Sequence, residues 1–508
     1  MRYLNQLSIF ILVIWLLPQG AFAQMPGDTL PKPEVSVTKH SITIDGKRIN
    51  YTATAGTMLL RSEQNEPMAL YGFTAYTKND VADPSTRPIM FAYNGGPGSS
   101  SVWLHMGVLG PKRTVVNDPG FTPAAPYQLE DNNYSILDVA DLVMIDPVGT
   151  GISRPIGKAT GKDFWGVDQD MRTVSLFIKQ FVTKNNRWNS PKYLLGESYG
   201  TLRSAAVANY LEGRLGMALN GVVMVSAVFD IRTLNFEEGD DISYPMFLPT
   251  YAATAWYHDK VPNKPERLEQ FIQECREFTV GEYASALMKG DQLSDAEREK
   301  IVDRLVYFTG LDKDYIRAAD LRINDAEFLQ ELLRDEGMTV GRLDSRYKGI
   351  NQDPLSQRRQ YDPQSSAISP AYKTTFMDYY YNQLGVSSDV SYNFSARDGF
   401  RDFSWDWTHS ANGRGGRLHP TNTGVDLAEV MTKNPNLKVL VLNGYYDVAT
   451  PFYGVEYSIH HLGLEPEIKE NIIMEYYEAG HMMYTHKPSL IKFKKDVAGF
   501  IKNTSARP

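Results

Sequence analysis

The chain has 508 residues, 42% of them hydrophobic and 22% charged, the balance of a folded globular protein rather than a disordered one. A formal net charge of −8 and a pI near 5.7 lack the basic footprint that nucleic-acid binding needs. Cys275 is the only cysteine, so no internal disulfide can form and stability must come from the core.

The first residues are set apart from the fold. Arg2 gives a positive start, residues 9–17 are an apolar run too short to span a bilayer, and Ala21-Phe22-Ala23 is a small-x-small cleavage site. Residues 1–23 read as a secretory signal peptide, against the alternative of a retained anchor. The mature protein is then expected to be exported, periplasmic or secreted, with no stable membrane insertion once the signal is removed. Sequons at Asn133, Asn393 and Asn503 leave bacterial and eukaryotic export both open. Residues 24–35 are a Pro-rich lead-in.

From there the chain alternates. Residues 40–44 and 47–54 flank Asp45-Gly46, a two-residue hairpin turn. A second strand pair is predicted at residues 58–61 and 70–76, completing an antiparallel edge. Residues 88–93 form the next strand, which runs into Asn94-Gly95-Gly96-Pro97-Gly98-Ser99-Ser100-Ser101. The continuous apolar run 142–145 is a central parallel strand ending in Asp146-Pro147-Val148-Gly149-Thr150-Gly151. Residues 168–182 have helical spacing, with Met171, Val174, Phe177, Ile178 and Phe181 on one face. Buried strands follow at 193–195 and 221–225. Strands alternating with helices predict a parallel sheet covered on both faces. After Ala227 the alternation stops. Helical stretches at 265–278, 294–306, 325–335 and 371–384 are joined by long aromatic and Gly-rich loops. Sheet pattern returns at 437–442 and 471–477, and residues 487–501 close the chain as an amphipathic helix. The expected architecture is α/β. A hydrolase core of residues 36–229 and 437–508, with a mixed, mostly parallel sheet, is interrupted by a mostly helical cap at 230–436.

The chemistry centres on Gly196-Glu197-Ser198-Tyr199-Gly200, set between the strand at 193–195 and a helix carrying Leu202, Ala205, Ala206, Ala208 and Leu211. Strand, tight turn and helix are the setting of a nucleophile elbow, where small residues at 196 and 200 let a strained turn lift Ser198 Oγ off the sheet. The plainer reading is a Ser in a Gly-rich loop. A Ser hydroxyl needs a base, and the base needs an acid to orient it. In this arrangement the chain order is Ser, acid, His. Asp447 follows the strand at 437–442 and His481 the strand at 471–477, so both lie at the carboxyl edge beside Ser198. Taken singly, Asp447 would be a helix cap and His481 a satisfied loop histidine. Asp146 precedes the Ser and shapes a loop. His460 and His461 are structural. His105, His409, His419 and His486 lack metal-ligand spacing, so no metal or other cofactor is expected. Trp405, Asp406 and Trp407 fit burial in the cap better than a place in the pocket. The oxyanion of an acyl intermediate needs two donors. The Tyr199 N–H is one, and the Asn94–Gly98 loop supplies the other; as a phosphate cradle this loop lacks the Lys-Ser/Thr pair.

Taken together, the Asn94–Ser101 and Asp146–Ser153 loops, Gly196–Gly200, the Asp447 loop and Gly480-His481 resemble the serine carboxypeptidases, in that family's order and over nearly the whole mature chain. The resemblance implies an α/β-hydrolase fold with a helical cap and release of single residues from peptide C-termini. It implies Ser198, Asp447 and His481 as the triad, and Gly96 and the Tyr199 N–H as the oxyanion hole. It implies that Asn94, Gly95 and Glu197 bind the substrate's terminal carboxylate. Two carboxylates cannot sit together unpaired, so Glu197 must be protonated in that role and peptidase activity should favour acidic to weakly acidic pH. The alternative activity is an esterase or acyltransferase on the same triad; the non-enzymatic one is a binding protein on a relic hydrolase fold. There are departures from the family pattern. Ser99 stands where the family usually has Cys, Val108 where it has a second Glu, and its disulfides are absent. Arg203, on the helix after the elbow, is expected in a helix-surface ion pair rather than at the substrate carboxylate.

Overall fold

A computed structural model describes residues 30–410 and 420–505; the signal-peptide reading and His419 lie outside the described residues. Asp45 and Gly46 both take positive φ, 49° and 74°, the turn that joins Val35–Ile44 (β1) to Lys47–Arg61 (β2) as an antiparallel hairpin. Pro67–Lys78 (β3) pairs with β2 along its length. The strand expected at 58–61 is therefore not separate but the second half of β2. Gly56 bridges the two halves: a Cβ there would lie 2.1 Å from the Glu34 carbonyl oxygen, so the chain crosses this close contact without stopping.

Ile89–Tyr93 (β4), Asp141–Asp146 (β5), Lys192–Ser198 (β6), Gly221–Ala227 (β7), Lys438–Gly444 (β8) and Ile472–Tyr477 (β9) complete a sheet ordered β1-β2-β3-β5-β4-β6-β7-β8-β9, with short Arg154–Pro155 beside β3. β5 to β9 pair in parallel and β1 to β3 antiparallel. Side chains alternate between two cores, as period-2 strands require. Met90, Met144, Leu195, Val225 and Leu442 face one core, which contains Phe493 and Val497 of the last helix; Phe91, Val143, Leu194, Met224 and Val441 face the other.

Val167–Lys184 (α1) carries Asp168 and Asp170 in its first turn, where the helix dipole favours acids, and buries Val174, Phe177, Ile178 and Phe181. Tyr199–Leu215 (α2) packs its alanines against the sheet and ends at Gly216 with φ 64°. Between β7 and β8 lies a large, mostly helical insertion. It holds Ser243–Tyr257 (α3), Leu268–Phe278 (α4), Asp295–Thr309 (α5), Asp325–Glu331 (α6), Pro363–Asp378 (α7) and Gly424–Lys433 (α8), with a core of its own around Phe247, Tyr251, Phe271, Val302 and Phe328. Phe452–His460 (α9) and Lys487–Ser505 (α10) follow β8 and β9. This is an α/β-hydrolase architecture with a helical insertion.

Candidate active site

Parallel strands direct their C-terminal ends to one edge of the sheet, and loops leaving that edge converge. Four of them matter here: Asn94 follows β4, Ser198 ends β6, Asp447 follows β8 and His481 follows β9. Asn94, Gly95, Gly96, Glu197, Ser198, Tyr199 and His481 all line one cavity of about 750 Å3.

Ser198 sits in the elbow turn with φ 61° and ψ −132°, a conformation that costs about 1–3 kcal/mol and persists only because its surroundings hold it. The packing explains the flanking glycines. A Cβ on Gly196 would lie 2.1 Å from the Gly200 carbonyl oxygen, and one on Gly95 would lie 2.5 Å from the Tyr199 backbone nitrogen. The Gly95 backbone thus rests directly on the start of α2. The N–H groups of that helix's first turn, Tyr199 first, carry its positive dipole end.

Asp447 is fully buried. Its Oδ1 accepts the backbone N–H groups of Ala449 and Thr450 at 2.9 and 3.0 Å, and its Oδ2 accepts the Thr450 hydroxyl at 2.7 Å. His481 Nδ1 meets the same Oδ2 at 2.8 Å. With Nδ1–H given to Asp447, a neutral ring keeps Nε2 as a proton acceptor. Burial pulls the His481 pKa down, but the Asp447 charge and hydrogen bond, with Glu197 beyond, outweigh it and raise it. The His481 backbone is also pinned: its N–H donates to Leu343 at 2.6 Å and its carbonyl accepts the Ser226 hydroxyl at 2.7 Å. Asp344 takes the Gly480 N–H at 3.0 Å and is gripped by Arg346, which also binds Asp118. A buried ion triad of this kind adds little to stability but fixes geometry, here the geometry of the histidine loop.

Glu197 is buried beside Ser198. Asn94 Nδ2 donates to its Oε1 at 2.8 Å, and the Tyr484 hydroxyl donates to its Oε2 at 2.7 Å. The Asn94 amide cannot turn, because its Oδ1 accepts the Leu104 N–H at 3.0 Å. Burial pushes the Glu197 pKa up to about 7, despite the opposing pull of His481 and of these two donors.

Two expectations are corrected, and one partner is new. Arg203 is not on a helix surface: it is 1% exposed, bound to Asp170 at 2.6 Å, and donates to the Asn94 carbonyl at 2.7 Å. α2 is buried almost all round, so a charge on it did not mark a wet face. Trp407 is not buried in the cap; it lines the cavity, and with Trp405 it packs edge-on against the Tyr199 ring. Val108 is buried as an apolar residue, and the partner that Glu197 takes is Tyr484, which sequence reasoning missed. A tyrosine three residues past a loop histidine carries no signal of its own. Asp146 does shape a loop, accepting from the Ser101 backbone and hydroxyl and from Tyr392. Among the described residues no group of three or more His, Cys, Asp or Glu side chains could hold a metal ion, and no helix is long and apolar enough to cross a membrane.

A sequence profile described as serine carboxypeptidase matches residues 50–505. The pheromone-processing carboxypeptidase KEX1 of Saccharomyces cerevisiae is 35% identical over 134 residues, 25% of this chain and 17% of the yeast protein. Serine carboxypeptidase-like 16 of Arabidopsis thaliana is 28% identical over 179 residues, 33% of this chain and 38% of the plant protein. These stretches span well under two thirds of either relative. The crystal structure of a prohormone-processing carboxypeptidase, KEX1 of Saccharomyces cerevisiae, superposes with a TM-score of 0.53 over 89% of this chain and 91% of that one, at 17% identity. At that identity the likeness is one of fold.

Proposed function

The chain belongs to the serine carboxypeptidase family, and we propose that it removes single residues from the C-termini of peptides through an acyl-enzyme on Ser198. His481 Nε2 takes the Ser198 proton as Oγ attacks the last peptide carbonyl, and Asp447 holds the imidazolium that results. The oxyanion lies against the backbone N–H groups of Gly96 and Tyr199. His481 returns its proton to the leaving amine, the free amino acid departs, and water repeats the attack on the acyl-enzyme.

The observation that carries this reading is the buried Glu197 carboxyl in the cavity beside Ser198, with a pKa of about 7. A carboxyl that is neutral in mild acid can donate to a substrate's terminal carboxylate, with Asn94 and the Gly95 backbone beside it; an ionised one repels it. The sign follows. Below about pH 7 Glu197 keeps its proton and a free-acid peptide binds; above it the proton is lost and binding fails. His481 must be neutral to act, and it serves a free-acid peptide and its C-terminal amide alike. Hence the ratio of kcat/KM for the two isolates Glu197. That ratio should be high in mild acid and fall up to ten-fold per pH unit above about 7. A ratio that is flat from acid to alkali, or near one throughout, contradicts the reading.

The leader is part of the same proposal: the protein is exported and cleaved after Ala23. N-terminal sequencing of protein recovered from outside the producing cytoplasm should begin at Gln24. A chain that keeps Met1 contradicts it.

A further inference from the structure

Among the described residues that line the cavity, Arg342 is the one permanent cation. Its backbone is fixed by the active-site loops: its N–H donates to Asp362 at 2.7 Å and its carbonyl accepts the Val448 N–H at 3.1 Å, one residue past Asp447. The next residue, Leu343, accepts the His481 N–H. The wall that carries Arg342 is therefore anchored on the Asp447 and His481 loops, not on the Asn94 and Glu197 pair that faces a terminal carboxylate.

The backbone is held, but the guanidinium is weakly engaged. It reaches the Ala449 carbonyl at 3.4 Å and Asp325 at 3.6 Å, with Arg342 and Asp325 side chains 40% and 25% exposed. A long, wet ion pair of this kind adds little. Arg342 also forms the border with a second, open cleft of about 390 Å3, where Arg342, Arg358 and Arg359 stand against only two aspartates, Asp325 and Asp362. On a chain with net charge −8, this is a local surplus of positive charge beside the catalytic residues.

Resting on the peptidase reading above, we infer that Arg342 selects peptides with an Asp or Glu side chain at one of the two residues flanking the scissile bond. An arginine fork matches a carboxylate in a bidentate way, and among the described residues the other walls, with Trp103, Val228, Leu234, Ile368 and Met482, offer such a side chain no second arginine or lysine. Arg358 and Arg359 line the adjoining cleft, on the far side of Arg342.

The test uses peptide pairs that differ only by Glu against Gln, at the last or the next-to-last position, assayed near pH 6 at low salt. The Glu peptide should have the higher kcat/KM, about ten-fold at one of the two positions, as one charge-assisted hydrogen bond provides. High salt should shrink that preference. Arg342→Gln should bring the Glu/Gln ratio close to one, and Arg342→Glu should turn the preference toward Lys at the same position. The ratio is internal, so a variant that merely folds less well lowers both rates and keeps it. No Glu preference at either position, or a ratio unchanged in Arg342→Gln, overturns the inference while leaving the peptidase reading standing. Failure to cleave any free-acid peptide overturns both.

Discussion

At the scale of single residues, the site turns on how one buried carboxyl is kept. Where the family usually places a second glutamate, this chain has Val108, and the Tyr484 ring lies against the neighbouring residue: a Cβ on Gly107 would sit 2.3 Å from the Tyr484 ring. The Tyr484 hydroxyl donates to Glu197, so it stabilises the charged form. Tyr484→Phe removes that donor, which must raise the Glu197 pKa. The alkaline limit of free-acid peptide cleavage should then move up by about one pH unit, the worth of one such hydrogen bond. A pH profile of kcat/KM for the variant that stays in place or moves down contradicts this role. Of the candidate residues, Ser198, Asp447 and His481 were legible because each lies just past an apolar strand and two of them in Gly-marked turns. Tyr484 and Thr450 were not, since their work is done by a hydroxyl that no spacing announces. Arg203 was misplaced for the opposite reason, a charge read as a sign of solvent. Its guanidinium lies near the Tyr93 and Tyr199 rings and holds the Asn94 carbonyl, so it positions the Asn94–Gly98 loop from beneath.

At the scale of elements, one contact ties the cavity wall to the core. His409 follows the loop that carries Trp405 and Trp407, and its ring is gripped at both nitrogens, by Asp168 at 2.6 Å and Asp426 at 2.7 Å. These acids lie in the first turns of α1 and α8. Two carboxylate acceptors require two N–H donors, hence an imidazolium. Burial alone would lower the His409 pKa, but the two carboxylates raise it to about 9. The sign is that of a raised histidine. Its stabilising contribution is complete below the unfolded value of 6.5 and is lost as pH rises through about 9. His409→Gln should therefore lower Tm most at pH 6, and the gap from wild type should narrow by pH 9.5, as thermal denaturation at the two pH values will show. A gap that is constant or widens contradicts the clamp. Most elements were legible as well, because the central strands are unbroken apolar runs and α1 shows a clean helical face. α3 was not. It is buried on nearly every side and contains Pro249, so neither a helical period nor an uninterrupted run marks it. β2 was split in two because Gly56 interrupts its pattern without interrupting its hydrogen bonds.

At the scale of the whole molecule, a sheet packed on both faces leaves its edge for chemistry, and the parallel strands bring Ser198, His481 and Asp447 to that edge from positions far apart in the chain. The insertion between β7 and β8 supplies much of the cavity wall: Arg342, Leu343, Ser365, Ile368 and Trp407 all belong to it. Its loops are also where sequence reading was least informative, since aromatic and Gly-rich segments obey no short period. In the proposed activity this cavity takes a peptide by its C-terminus and transfers its acyl group to Ser198. The most direct measurement is time-resolved mass spectrometry of a free-acid peptide mixture digested by the pure protein and by Ser198→Ala. Wild type should shorten peptides stepwise from the C-terminus, and Ser198→Ala should leave them intact. Fragments cut internally or from the N-terminus, or a C-terminal ladder produced equally by Ser198→Ala, would contradict it.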